Sequence, residues 1–264
     1  MALANIRHIR NGSVLIGQDN IEKAMKLAQS GTPEVAVSDH QSDSDHAIKR
    51  FMFESNGFHT FANSMLYLGG LKMIERWDVR QFSSSENMLL IPTPYDIENV
   101  DTALNSNGLT EDQKRILTRL RRNYANLSTK AIRSVNAYLS QNNEAIIGLY
   151  PESTRSRTGF IGEAKTLANI WYRLRPGTYI VPIAVEGGDY MHPPGTFPIR
   201  RINARVVVGE PQPVEKLVKR AKSVPESERE QFIADYAFSL VVRLMDPKYV
   251  PPEKRDYFKQ LAAF

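Results

Sequence analysis

Hydrophobic and polar positions along the chain follow two patterns that together predict an α/β protein. Between residues 19 and 30, apolar residues recur every three or four positions and a glycine follows, which predicts an amphipathic helix. Short apolar runs predict buried strands at 34–37, 88–91, 145–150, 179–184 and 204–208. Because such strands are typical of sheets covered on both faces, we expect a central mixed, largely parallel sheet flanked by helices.

Two longer helices are expected in the second half of the chain. Thr110 and Gln113 have the spacing of a capping box, and an apolar stripe continues from them to about residue 142. A further amphipathic pattern covers 225–245. The first half of the earlier helix carries the basic residues Lys114, Arg115, Arg119, Arg121 and Arg122. This cluster is either a solvated face or a site for a phosphate, an acidic carrier or lipid headgroups.

The stretch 51–73 is rich in aromatic and aliphatic residues. It predicts a core helix followed by a strand that Gly69 and Gly70 interrupt. The alternative is an apolar wall for an acyl chain, or a surface that faces a membrane. Further along, Pro92 and Pro94 are expected to hold the chain extended.

The chain is predicted to form a single domain over 1–264, because no linker composition and no internal repeat interrupts it. Within it, 77–107 is expected to be an insertion. The C-terminal segment 213–264 is expected to be helical to about residue 245. Three prolines then predict an extended tail.

Composition narrows the classes of function. The chain has 264 residues, is 42% hydrophobic, contains no cysteine and carries a net charge of +5. The lack of cysteine excludes disulfides, thiolate catalysis and cysteine-based zinc sites. A mild positive charge suits a phosphate-bearing ligand, an acidic carrier or an anionic lipid surface, and does not by itself indicate nucleic acid. With no signal-peptide pattern and no long apolar run, we expect a cytoplasmic protein that is at most peripheral on a membrane.

The candidate chemistry begins directly after the strand at 34–37. His40 and Asp45 are separated by four residues. A histidine beside a carboxylate can remove a proton from a hydroxyl, since the imidazole accepts protons near neutral pH and the carboxylate orients it. A second polar stretch, 150–157, also follows an apolar run. Ligands of α/β sheets bind beyond the carboxyl ends of strands, so both stretches are candidates for one site.

Taken together, these motifs resemble those of the glycerolipid acyltransferase superfamily, which includes the lysophosphatidate (1-acylglycerol-3-phosphate) acyltransferases. The matching segments are HQSDSD at 40–45, LYPESTRSR at 149–157, VPI at 181–183 and VVVGEP at 206–211. The resemblance covers roughly residues 20–215. It implies an enzyme of phospholipid biosynthesis that moves a fatty acyl group from acyl-CoA or acyl carrier protein to a hydroxyl of a phosphate-bearing glycerol. It implies no cofactor, since the thioester is a co-substrate, and no metal.

The resemblance also implies roles for individual residues. His40 would be the general base that deprotonates the acceptor hydroxyl, and Asp45 would orient it. The acceptor would bind at Glu152, Ser153, Thr154 and Arg155, with the guanidinium of Arg155 on its phosphate. A guanidinium suits that role because it forms paired, charge-assisted hydrogen bonds with phosphate oxygens.

The sequence departs from the superfamily pattern at three places. Asp39 stands where asparagine is usual, which is expected to add negative charge beside the base. Ser153 stands where glycine is usual. The gap between the two motifs is longer than usual, so the intermediate arginine motif is assigned to Arg121 and Arg122, with Arg76 as the alternative.

Other functions remain open from the sequence. The acceptor could be glycerol 3-phosphate instead of 1-acylglycerol-3-phosphate. A metal-dependent hydrolase is an alternative of another class, because several competent ligands crowd together. Those ligands are Asp39, His40, Asp43, Asp45 and His46. A non-catalytic module that binds lipid or a carrier is the third alternative.

Overall fold

One mixed β-sheet forms the centre of the protein. The computed structural model describes residues 9–42, 44–70, 87–91, 94–142, 144–152, 155–156, 158–165, 177–191 and 200–263. The strands are β1 (Val14–Ile16), β2 (Glu34–Ser38), β3 (Met65–Gly70), β4 (Met88–Ile91), β5 (Ile146–Leu149), β6 (Tyr179–Glu186), β7 (Arg205–Val208) and β8 (Gln212–Pro213). Their order in the sheet is β1-β7-β6-β2-β5-β3-β4, and β8 also pairs with β6.

The sheet is parallel over most of its width. Strands β6, β2, β5, β3 and β4 run in one direction, whereas β7 and β8 pair with β6 antiparallel. The predicted mixed, largely parallel sheet is therefore confirmed. Strand β2 lies between β6 and β5, so its carboxyl end lies at the middle of the edge where these parallel strands end. That is the position at which parallel sheets place their binding sites.

Helices cover the sheet. They are α1 (Gln18–Gln29), α2 (Asp45–Ser55), α3 (His59–Ser64), α4 (Pro94–Leu104), α5 (Glu111–Gln141), α6 (Gly188–Met191), α7 (Val214–Ala221), α8 (Arg229–Val242) and α9 (Arg255–Ala263). The predicted capping box begins α5: the Thr110 hydroxyl accepts from the Gln113 backbone N–H at 3.3 Å, and the Gln113 amide oxygen accepts from the Thr110 N–H at 2.9 Å. The helices predicted from periodicity are thus confirmed.

The core lies on both faces of the sheet. Val35 and Val37 of β2 belong to one apolar cluster with α7, α8 and α9, whereas Ala36 belongs to another with α1, α2 and α3. This division follows from the alternation of side chains along a strand. All five residues of β2 are buried, so the strand holds the loop after it in a fixed position.

Three local expectations were wrong. Gly69 and Gly70 do not interrupt the strand, since they pair with Leu90 and Ile91 as part of β3. A glycine weakens a strand by only about 1 kcal/mol, and pairing with a neighbouring strand can offset that loss. The chain does not stay extended at Pro94, which begins α4. The tail is not extended either, since 3₁₀ turns at Pro247–Tyr249 and Pro252–Lys254 lead into α9. Proline fits a first helical turn, where its missing N–H needs no partner.

The aromatic stretch belongs mainly to the core. Phe53 and Phe61 are fully buried and pack edge to face, with ring centres 5.0 Å apart. The interpretation as a core helix and strand is confirmed for 51–70, while 71–73 lie outside the described residues. The segment 77–107 was expected to be an insertion. Its residues 77–86 also lie outside the described residues, and most of 87–107 forms β4 and α4.

Candidate active site

His40 and Asp45 meet at the carboxyl end of β2. The loop after Ser38 carries His40, and Asp45 is the first residue of α2. The imidazole Nδ1 lies 3.1 Å from the Asp45 Oδ2. The Asp45 side chain is fully buried, whereas that of His40 is 18% exposed. The pair therefore presents an imidazole at the surface of the site with a carboxylate beneath it.

The Asp45 carboxylate is held from several sides. Its Oδ2 accepts from the Ser42 backbone N–H at 2.8 Å, and its Oδ1 accepts from the Ser42 hydroxyl at 3.0 Å. Gly188, at the start of α6, packs so closely on the Asp45 carboxylate that no space remains between them. A Cβ at Gly188 would overlap Asp45 Oδ1 and come within 2.6 Å of Ser42 Oγ. Asp45 does not cap its helix, since Ser44 occupies that position. These contacts fix the carboxylate where it faces His40 Nδ1.

The second motif contacts the His40 loop through the backbone. The Ser156 N–H donates to the His40 carbonyl at 2.7 Å, and the His40 N–H donates to Glu152 Oε2 at 2.7 Å. The two loops are 112 residues apart in sequence at the Glu152 contact. The structure therefore brings together the two stretches from which the sequence predicted one site.

Glu152 joins three segments of chain. Besides the His40 N–H, its carboxylate accepts from the Gly162 N–H at 2.5 Å, and only 3% of the residue is exposed. Burial raises the pKa of Glu152 to about 7, although the two backbone donors act in the opposite direction. Its observed partners are thus backbone amides, and contact with an acceptor stays a prediction.

The remaining residues of the second motif are only partly described. Arg155 is half-buried and precedes Ser156, which bonds the His40 loop. Ser153 and Thr154 lie outside the described residues. The expected contact of the Arg155 guanidinium with a phosphate stays a prediction.

Aromatic and cationic side chains line the site, and sequence reasoning missed them. The Tyr150 ring lies 4.3 Å from the His40 ring, between centres. The Lys49 Nζ lies 4.5 Å from the centre of the Tyr150 ring and 4.8 Å from that of Tyr67, although Lys49 is only 1% exposed. Spacing could have found Lys49, because it lies one helical turn after Asp45.

His46 is the other buried ring beside the site. It contacts Tyr67 and Tyr150 edge on, with ring centres 4.2 and 4.8 Å apart. Burial lowers the pKa of His46 well below its ordinary value, and the charge of Lys49 lowers it further. His46 is therefore neutral near pH 7.

Asp39 lies in surroundings that oppose the negative charge expected from its sequence. It is fully buried, and its Oδ1 accepts from the Val185 N–H at 2.8 Å. Burial, followed by the charge of Asp45, raises the pKa of Asp39 well above its usual range. A protonated carboxyl has nearly the shape of the asparagine amide that the superfamily has here, and it is likewise neutral.

The two candidates for the intermediate arginine motif lie on the exposed surface of α5. Arg121 pairs with Asp101 of α4, with Nε 2.5 Å from Oδ1, and this partner raises the arginine pKa. Arg122 is also exposed. A role for either in binding substrate stays a prediction, and Arg76 lies outside the described residues.

The described residues include no group of three or more His, Asp or Glu side chains arranged to hold a metal ion. Asp43, one of the five candidate ligands, lies outside the described residues. None of the described helices is long and apolar enough to cross a membrane.

Comparison with known proteins gives a match in fold and none in sequence. No protein-family model matches the chain, and no curated protein sequence matches it. Among solved structures, the crystal structure of the 1-acyl-sn-glycerophosphate (LPA) acyltransferase PlsC from Thermotoga maritima superposes with a TM-score of 0.50. The match covers 92% of this chain and 79% of that one, at 15% sequence identity. The resemblance stated from the motifs is thus confirmed at the level of the fold alone: the chain shares the mixed α/β fold of that acyltransferase.

Proposed function

We propose that the protein is an O-acyltransferase that moves a fatty acyl group from an acyl thioester to a hydroxyl of a phosphate-bearing glycerol, in phospholipid biosynthesis. The observation that carries this proposal is the buried Asp45 carboxylate, whose Oδ2 lies 3.1 Å from His40 Nδ1, while the His40 carbonyl accepts from the Ser156 N–H of the second motif. The fold of the Thermotoga maritima acyltransferase supports it independently.

The proposed reaction uses His40 as a general base. With Asp45 accepting at Nδ1, that nitrogen keeps its proton and Nε2 is free to take one from the acceptor hydroxyl. The hydroxyl oxygen bonds to the thioester carbonyl carbon, the carbon–sulfur bond breaks, and the proton leaves on the released thiol. No covalent acyl-enzyme is needed, because two bound reactants already avoid much of the entropic barrier.

The surroundings of His40 suit this reaction. The ring of Tyr150 provides an apolar wall beside His40, and the buried amine of Lys49 over that ring would supply a positive charge when it is protonated. A positive charge in a dry site stabilises the negative charge that develops on the thioester oxygen. In this proposal the acceptor is 1-acylglycerol-3-phosphate, held through its phosphate by Arg155, and the donor is acyl-CoA or acyl carrier protein.

The test is a transfer assay with the purified protein. Acyl-CoA and acyl carrier protein are each offered with 1-acylglycerol-3-phosphate and with glycerol 3-phosphate. Free thiol is measured during the reaction, and products are identified by mass spectrometry. His40→Ala is expected to lower kcat by about 10²–10⁴, the usual contribution of a positioned base.

The matched control is His59→Ala, since His59 is an exposed histidine on α3. It is expected to leave the rate unchanged. Transfer by His40→Ala at the parent's rate would contradict the mechanism. Lipid binding without any transfer by the parent would favour the non-catalytic module instead.

A further inference from the structure

Helix α5 contacts α4, as between Arg121 and Asp101, but leaves one side of its N-terminal half uncovered by the rest of the described protein. Its 31 residues extend about 46 Å, whereas the four residues of β5, which it precedes, extend about 13 Å. The sheet is therefore too short to cover the helix. Among the described side chains between 111 and 127 none is buried, while Val135 near the other end is 1% exposed.

An apolar strip lies along this exposed surface. Ile116 is 64% exposed, Leu127 45% and Tyr138 37%. At about 100° per residue, these three side chains lie within roughly 40° of one another around the helix axis. The buried Val135 lies about 60° beyond Tyr138 on the same scale. The strip is thus the solvent-facing half of an apolar face whose other half packs on the protein.

Positive charge borders the strip. From Gln113 to the end of α5 the sequence has no acidic residue and seven basic ones. They are Lys114, Arg115, Arg119, Arg121, Arg122, Lys130 and Arg133. Ion pairs to Glu111, Asp112 and Asp101 engage three of them. The other four form no ion pair with any described residue, and Arg119 and Lys130 lie about 40–60° from the strip.

We propose that this face of α5 binds the surface of an anionic membrane. A helix that combines a narrow apolar strip with a Lys- and Arg-rich border is typical of segments that lie in the plane of the lipid interface. The apolar side chains enter the boundary between headgroups and acyl chains, and the basic ones pair with anionic headgroups.

Charge favours lipid over a second copy of this chain. In a symmetric dimer the same patch meets itself, so the border of Arg119 and Lys130 would face another border of the same sign. The helix offers no acidic partner after Asp112. Phosphate headgroups supply the negative charge that a second copy lacks.

The orientation of α5 gives this contact a consequence. The C-terminal end of the helix leads into β5 at the edge of the sheet where the parallel strands β2 and β5 begin. Its N-terminal half therefore lies toward the carboxyl edge, where His40 opens. Because the helix axis would lie in the plane of the interface, binding through the strip would hold that edge alongside the lipid surface. The inference itself does not depend on the proposed chemistry, because binding is measured without substrate.

The test is sedimentation of the full chain with vesicles. Vesicles of phosphatidylcholine alone are compared with vesicles of phosphatidylcholine mixed with phosphatidylglycerol, at low and high salt. Binding is expected only with the anionic vesicles and is expected to weaken as salt screens the charges. The double variant Arg119→Glu with Lys130→Glu is expected to bind about tenfold or more weakly, and Ile116→Ser with Leu127→Ser is also expected to bind less.

Two matched variants control for charge and for surface hydrophobicity. Lys219→Glu with Lys222→Glu makes the same charge change at α7, and Val14→Ser with Ile16→Ser removes exposed apolar residues from β1. Both are expected to bind as the parent does. If the charge-reversal variant of α5 does not fold, Arg119→Gln with Lys130→Gln replaces it, with a smaller loss expected.

Three results would overturn the proposal. The first is that the α7 variant loses as much vesicle binding as the charge-reversal variant of α5, which would indicate that binding depends on net charge and not on a specific surface. The second is no binding of the parent to anionic vesicles. The third is a dimer, seen by analytical ultracentrifugation, that dissociates when Ile116 and Leu127 become serine.

Discussion

Gly188→Ala should impair catalysis without touching either reacting group. The added methyl would overlap Asp45 Oδ1 and come within 2.6 Å of Ser42 Oγ. Only Gly187 separates Gly188 from the buried strand β6, so its backbone cannot easily withdraw. The carboxylate of Asp45 has to move instead.

The size of the effect follows from the geometry of that carboxylate. Both of its oxygens move together, so displacing Oδ1 also draws Oδ2 away from His40 Nδ1, now 3.1 Å distant. A hydrogen bond weakens steeply beyond about 3.5 Å. We expect kcat to fall by about 10²-fold, within the range that a positioned base supplies. Overpacking should also cost about 1–3 kcal/mol of unfolding free energy.

The assay measures kcat and KM separately by release of the free thiol. KM should change little, because the proposal gives Asp45 no contact with the acceptor. Gly12→Ala is the control: the nearest atoms to its added methyl would be those of the Asn203 side chain, at 3.3 Å. NMR of the imidazole nitrogens provides a second readout, since the parent is expected to hold its proton on Nδ1 and the variant to lose that preference.

A folded Gly188→Ala protein with the parent's kcat would refute the reasoning. So would a variant that is slow but keeps the Nδ1-protonated imidazole, because its defect would then not lie in the orientation of His40. If the variant is too unstable for kinetics, the NMR measurement on the folded fraction at low temperature still decides.

Two further predictions concern buried carboxyl groups. Asp39→Asn should keep kcat/KM within about threefold near pH 7, because the raised pKa of Asp39 favours the neutral carboxyl, which an amide resembles; a loss of more than tenfold would contradict this prediction. Burial raises the pKa of Glu34 from 4.5 to about 8, so folding stability should fall as pH rises between these values, by about 4 kcal/mol at pH 8. In urea unfolding, Glu34→Gln should therefore be about as stable as the parent at pH 5 and more stable at pH 8. If the unfolding free energies of the two proteins depend on pH in the same way, this prediction is wrong.

Much of the fold could be predicted from the sequence, because the relevant signals are local. Apolar periodicity is a property of neighbouring residues, and it indicated β2, β5, β6 and β7 as well as the long helices. The capping box at Thr110 was visible for the same reason. Where a weak local preference competed with pairing, as at Gly69 and Gly70, the contact with β4 decided and the local prediction failed.

For the candidate site, the sequence by itself determined which residues could do chemistry. Motif spacing singled out His40, Asp45 and the stretch that begins at Tyr150. It also limited the mechanism, since a chain without cysteine has no thiolate nucleophile.

Only the tertiary structure decided how those residues are held and charged. The raised pKa of Asp39, the position of the Lys49 amine beside two rings and the absence of space behind Asp45 at Gly188 all depend on residues far away in sequence. The physical reason is that desolvation and close packing are set by whichever segments surround a group. A linear pattern records which neighbours a residue has along the chain, and it does not record which segments remove water from around it.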